Sequence, residues 1–207
     1  MRGPPVNAGR LIAFEGLDGC GKTTQIARLA DLLRKAGHDP VVTAEPTDGE
    51  WGRRIRAMAR GSAPAVAPAE ELRWFVEDRR EHVARCIAPA LAGGRPVLTD
   101  RYFLSTVAYQ GANGLDAEQI LAESEAEFPT PDLVLLLELD VATALARIHS
   151  RGRERESAFE VRERLERVAQ IFRSIERTWI TRLDASASED AVALAIAAQV
   201  REQLDLP

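Results

Sequence analysis

The chain has 207 residues, 45% of them hydrophobic and 29% charged, which is ordinary globular usage and excludes disordered, collagen-like and low-complexity classes. Its 27 basic and 32 acidic side chains leave a net charge of −5, without the broad basic footprint of a nucleic-acid binder. Cys20 and Cys86 alone make neither a disulfide framework nor a four-ligand zinc site, no apolar run approaches the roughly 18 residues of a membrane helix, and the opening MRGPPVNAGR lacks a signal core, so a cytoplasmic protein without membrane partners is expected.

Residues 1–9 read as a flexible tail before a single domain over residues 10–207, since no internal repeat or linker divides the chain. LIAF at 11–14 is a first buried strand entering a Gly-rich stretch. Ile26, Leu29, Ala30 and Leu33 then recur at helical spacing up to Gly37, which suits a left-handed C-terminal cap. Further apolar runs at 41–44, 96–99, 133–139 and 180–183 alternate with helical patterns. Such alternation predicts an α/β fold with a parallel sheet between helices.

A helix is expected over about 69–91, with an apolar face through Leu72, Phe75, Val76, Val83, Cys86, Ile87 and Ala90 that Arg79 interrupts. Asp116 with Gln119 resembles a capping box, and Asp140 can cap another helix. The stripe Leu165, Val168, Phe172, Ile175, Trp179 predicts a long helix from Val161. Ahead of it, SRGRERESAF is too polar and irregular to be core.

The stretch Gly16-Leu17-Asp18-Gly19-Cys20-Gly21-Lys22-Thr23 matches GxxxxGK followed by Ser/Thr, between a predicted strand and helix as the motif requires. Glycines there let backbone amides turn around phosphate oxygens, and the helix N-terminus favours negative charge. Lys22 supplies a mobile point charge and Thr23, followed by Thr24, offers a hydroxyl to Mg²⁺. All but two of the basic residues are arginine, the lysines being Lys22 and Lys35, so a lysine at this position is not incidental. A phosphate loop alone leaves GTPases, helicases, partition ATPases and small-molecule kinases open. Neither lysine follows an Asn, so the guanine-reading NKxD is absent. Val97-Leu98-Thr99-Asp100 leads into Arg101 rather than the Glu usual in motor ATPases. An acid for the metal beside a basic phosphate clamp suits an enzyme that holds two phosphorylated substrates.

The strings FEGLDGCGKTTQ, EPT after the second strand, Phe75 with Arg79, DRY at 100–102 and STVAYQG from Ser105 resemble the bacterial thymidylate kinases, and the resemblance runs from about residue 10 to 200. It implies a P-loop kinase sheet of five parallel strands in the order 2-3-1-4-5, with ATP and dTMP meeting over their carboxyl ends. It further implies that the enzyme transfers the γ-phosphoryl of MgATP to dTMP and is commonly a homodimer.

In the family's pattern Phe75 stacks on thymine, Arg79 bonds a base carbonyl, Arg101 clamps the dTMP phosphate, and Asp18 accepts from the 3′-hydroxyl. Thr106, Tyr109 and Gln110 line the thymidine pocket, Pro46 leans on the nucleotide, often through a cis peptide, and Thr23 and Asp100 serve the metal. Thymidylate kinases divide between those with an arginine in the phosphate loop and those with basic residues in the lid. Gly19 fills the loop slot here, so Arg153, Arg155 and then Arg151, in a lid at about 150–159, are the catalytic candidates. Ser157-Ala158 stand where an Asp-Arg pair is usual, a departure that touches the lid's contacts. The alternatives are a kinase of another nucleoside or monophosphate, or a nucleotide-binding regulatory module without turnover.

Overall fold

The computed structural model describes residues 9–149 and 158–204. Five parallel strands, β1 (Leu11–Glu15), β2 (Val41–Ala44), β3 (Val97–Asp100), β4 (Leu133–Glu138) and β5 (Ile180–Asp184), form one sheet in the order β2-β3-β1-β4-β5. This is the expected order. Strands buried on both faces read as apolar runs, and β1 as far as Phe14 and β4 as far as Leu137 do, with Ile12, Phe14, Leu133 and Leu135 fully buried; β3 begins so at Val97 and Leu98 and turns polar at Thr99 and Asp100. The edge strand β2 alternates instead, with Val42 exposed.

Between the strands run α1 (Lys22–Lys35), α2 (Glu50–Ala59), α3 (Pro68–His82), α4 (Ala88–Ala92), α5 (Phe103–Ala112), α6 (Ala117–Glu127), α7 (Val141–His149), α8 (Ala158–Ser174) and α9 (Glu189–Leu204). α1 and α9 pack on each other and on the sheet, while α5 packs against α3, α6 and α8. The helix expected over 69–91 is present, but Val83–Ile87 winds as a π-helical segment between α3 and α4. Pro89 stands two residues beyond, in the first turn of α4. It has no N–H to give and its ring crowds the carbonyl four residues back, and a wider turn accommodates both.

Asp116 caps α6, accepting from the amides of Glu118 and Gln119 at 3.0 Å each, and Asp140 accepts from the Thr143 amide at 2.8 Å to open α7. Only the Asp116 side of a capping box is made, and the Gln119 side chain donates through Nε2 to Glu123. The stripe from Val161 does not continue as helix to Trp179. α8 stops at Ser174, where Arg182 of β5 donates to the carbonyls of Phe172, Arg173 and Ile175 and so satisfies acceptors that a helix end leaves open. Trp179 then packs edge-on against Phe103, with centroids 5.9 Å apart.

The register aligns Phe14, Ala44 and Asp100 across β1, β2 and β3. The loops that follow those strands therefore leave the sheet side by side at its carboxyl edge, where a doubly wound sheet binds its ligands.

Candidate active site

The loop after β1 turns through positive φ at Gly16 (131°), Gly19 (85°) and Gly21 (100°) before α1 begins at Lys22. A Cβ on Gly16 would stand 2.5 Å from the Leu137 carbonyl oxygen, and one on Gly19 would stand 2.8 Å from that of Ala144. Both positions exclude a side chain by conformation and by space. Lys22 is buried, and its Nζ donates to the carbonyls of Gly16 at 3.2 Å and Leu17 at 3.1 Å, folding across its own loop. Leu17 and Cys20 are buried beneath the loop, Asp18 is exposed, and Thr23 and Thr24 open α1. Arg147 of α7 was not legible as a partner in the sequence, yet it reaches Gly19 O and Ala185 O at 3.4 Å each, tying the loop to the end of β5.

At the end of β3 the Thr23 hydroxyl donates to Asp100 Oδ2 at 2.7 Å. Two hard oxygen donors from different elements meet there beside the phosphate loop, which is the chemistry that Mg²⁺ takes. Among the described residues no group of three or more His, Cys, Asp or Glu could hold a metal. The pair therefore fits an ion that keeps phosphate oxygens and water as its other ligands, and it does not fit a full protein cage. A cavity of about 900 Å³ opens beside Thr23 and Asp100, with Pro46 and Thr47 in its wall.

Arg101 follows with φ 71°, a left-handed backbone that is uncommon outside glycine. Its amide donates to Phe14 O at 2.9 Å and its carbonyl accepts from the Thr99 hydroxyl at 2.7 Å, so both sides of the residue are pinned. The guanidinium reaches Ser105 Oγ at 2.7 Å and Asp18 Oδ1 at 2.8 Å, and lies 5.1 Å over the Tyr109 ring. Burial works against its charge, but Tyr109, Asp18, Glu15 and Asp100 outweigh that and hold it firmly protonated. Burial also pushes the Tyr109 phenol up, against the lowering effect of Arg101.

A second cluster lies along the same helix α5. Arg79 of α3 is 1% exposed and no surface side chain. Its Nε and Nη2 donate to Glu45 Oε2 at 2.9 and 2.7 Å, and Nη2 also donates to Thr106 Oγ1 at 2.8 Å. The rings of Tyr102 and Phe128 lie 5.2 and 5.3 Å from its guanidinium carbon. Nη1 of Arg79 and Oε1 of Gln110 are buried without a hydrogen-bond partner among the described residues. Glu45 leads into the cis bond to Pro46, and the following Thr47 is held by Asp78, which accepts from its amide at 2.8 Å and its hydroxyl at 2.6 Å. His82, given no chemistry by the sequence, stands between Glu45 Oε1 (2.9 Å) and Thr43 Oγ1 (2.7 Å) and braces the same loop.

The structure thus brings Asp18, Arg101 and Tyr109 into one group, Arg79 and Thr106 into another, and Lys22, Thr23 and Asp100 to the loop beside them. Gln110 belongs to the same α5 face by burial, and Phe75 lies half-buried one turn before Arg79 on α3. Arg151, Arg153 and Arg155 lie outside the described residues. Glu15, Glu45, Asp78 and Ser105 were missed, because their partners are distant in sequence. Glu15, Glu45 and Ser105 stand inside the strings FEGLDGCGKTTQ, EPT and STVAYQG, and the signal that could have found the two acids is a buried-type acid at the end of an apolar strand or in a Pro-containing turn.

The thymidylate kinase family profile matches residues 14–196. The thymidylate kinase of Desulfotalea psychrophila is 46% identical over 200 residues, covering 97% of this chain and 98% of the relative. That of Akkermansia muciniphila is 46% identical over 198 residues, with 96% and 92% covered, and that of Xanthomonas campestris pv. campestris is 46% identical over 184, with 89% and 79% covered. No helix among the described residues is long and apolar enough to cross a membrane.

Proposed function

Since the chain belongs to the thymidylate kinase family, we propose that the two clusters along α5 are the acceptor pocket of a dTMP kinase, which passes the γ-phosphoryl of ATP to dTMP and yields dTDP for DNA synthesis. The observation that carries the reading is the placement of Arg101. A cation tied at once to Asp18 of the phosphate loop and to Ser105 of α5 links that loop to the helix whose Thr106 meets the buried Arg79. Its Asp18 partner is 58% exposed, and an ion pair of that kind is weak enough to yield to a phosphate.

ATP lies with its phosphates along the amides of residues 16–23, and Lys22 turns from the carbonyls of Gly16 and Leu17 toward them. Thr23 and Asp100 would hold Mg²⁺, which when bound neutralises charge on the outer phosphates. Arg101 fixes the dTMP phosphate, Phe75 stacks on thymine, and the unpaired Nη1 of Arg79 meets a base carbonyl, with Thr106 and Gln110 completing the base's contacts. Asp18 accepts from the 3′-hydroxyl, Tyr109 closes the space that a 2′-hydroxyl would need, and Pro46 leans on the nucleotide. An acceptor phosphate oxygen then bonds to the γ-phosphorus as the bond to the ADP oxygen breaks. The chain's part is alignment and charge neutralisation.

A side chain at Gly19 meets both a left-handed φ and the Ala144 carbonyl, which supports a lid that brings the catalytic arginine, from Arg151, Arg153 or Arg155. The same reading takes residues 10–207 as one kinase domain with its lid at 150–159, working as a homodimer in the cytoplasm. The test is ADP release with dTMP, dUMP, dCMP, dGMP and AMP compared side by side. A clear preference for dTMP, abolished in Lys22→Ala, is expected. Preference for another monophosphate overturns the substrate assignment, and ATP binding without acceptor-dependent ADP release makes the chain a regulatory module.

A further inference from the structure

Glu15 ends β1 with its carboxyl fully buried, and no step above uses it. Both of its oxygens are engaged. Oε1 accepts the amides of Tyr102 at 2.9 Å and Ser105 at 3.1 Å, and Oε2 accepts the Ser105 hydroxyl. These amides belong to the opening turn of α5, which receives no cap from its own N-cap side chain. An acid 87 and 90 residues away in sequence therefore satisfies donors that a buried helix N-terminus would otherwise leave open.

The Ser105 hydroxyl has one proton, and it goes to Glu15. What remains on the oxygen is an acceptor, and Arg101 Nη1 fills it at 2.7 Å. The polarity of the chain is thus fixed from guanidinium to hydroxyl to carboxylate. Reversing the hydroxyl would set its proton against a cation that can only donate.

Resting on the reading of Arg101 as the acceptor-phosphate clamp, we propose that Glu15 is its positioning residue, locking one arm of the guanidinium through Ser105 so that the other faces the incoming phosphate. An arginine side chain has many rotamers, and immobilising it before the substrate arrives leaves less ordering to be done on binding. The unusual backbone of Arg101 serves the same end, since it is the turn at which the chain enters the helix that Glu15 caps.

The test is steady-state kinetics with each substrate varied, on Glu15→Gln, Ser105→Ala, Arg101→Ala and the Glu15→Gln/Arg101→Ala double variant, with thermal melts alongside. Glu15→Gln and Ser105→Ala are each expected to raise the dTMP KM about 10-fold while the ATP KM stays within about twofold. In the Arg101→Ala background Glu15→Gln is expected to add nothing, because the two act as one unit. If Arg101→Ala leaves the dTMP KM unchanged, the clamp reading itself fails. If Arg101→Ala raises it and Glu15→Gln still contributes its full factor on top, Glu15 is only a helix cap and the inference is overturned. Should Glu15→Gln not fold, Ser105→Ala decides, since it keeps the amide bonds to Glu15 and removes the hydroxyl that joins Glu15 to Arg101; a native dTMP KM there overturns the proposal.

Discussion

Replacing Arg79 by methionine keeps an unbranched side chain out to about the position of Nε but removes the guanidinium, with its stacking on the Tyr102 and Phe128 rings and its three hydrogen bonds, two of them to Glu45. The Glu45 carboxylate, with only 4% of its side chain exposed, then keeps His82 as its one charged-type partner. Removing one member of a buried ion pair costs about 3–5 kcal/mol, and the surviving His82 contact puts Arg79→Met near the lower end of that range. For a chain of this size that is a fall in Tm of about 6–12 °C, readable by circular dichroism or calorimetry. The double variant Arg79→Met/Glu45→Gln leaves no unpaired charge and should recover more than half of the loss. The dTMP requirement should not recover with it. A charged hydrogen bond to the base is worth about 1.5–3 kcal/mol, so the dTMP KM should stay about 10- to 150-fold above the native value in both variants while the ATP KM is unchanged. A double variant with native dTMP KM would refute the role of Nη1 and leave Arg79 as core alone. A single variant that melts with the native protein would refute the ion-pair energetics.

Phe75→Ala should raise the dTMP KM by the ~1–3 kcal/mol of an aromatic–base stack, about 5- to 150-fold, with ATP unaffected; a selective loss for ATP would mean that α3 faces the other nucleotide. The triple variant of Arg151, Arg153 and Arg155 to alanine should lower turnover at saturating substrates by at least about 10³-fold with little change in ATP affinity, and near-normal turnover would send the search to another arginine. Burial raises the Glu15 carboxyl above its ordinary 4.5, against the lowering effects of the Ser105 hydroxyl, Arg101 and the amides of Tyr102 and Ser105. A carboxyl raised on folding contributes stability that is complete below about 4.5 and is lost as pH rises through the folded value. Melts across that range should therefore fall more steeply with pH in the native protein than in Glu15→Gln, and parallel profiles would contradict the shift.

The sequence by itself determined the phosphate loop, because glycines, a lysine and a threonine must sit within eight consecutive residues for their amides and side chains to converge on one anion. It also marked the five strands as apolar runs, continuous where both faces are buried, as in β1 and β4, and shorter at the edges β2 and β5, and their order came through the family resemblance. Arg79 shows where that reasoning ends. Periodicity marked it as a break in an apolar face, and only the fold brought Glu45 and Thr106, 34 and 27 residues away, to its guanidinium. The same holds for the π-helical segment before Pro89, for the end of α8 under Arg182, and for Glu15 at the start of α5. Each depends on a contact whose partners are set by strand order and helix packing, and a local pattern carries no record of which distant donor will meet a buried acceptor. Tertiary structure decided those pairings because burial makes an unpaired polar group costly, so the folded chain must bring a partner to it from wherever the topology allows.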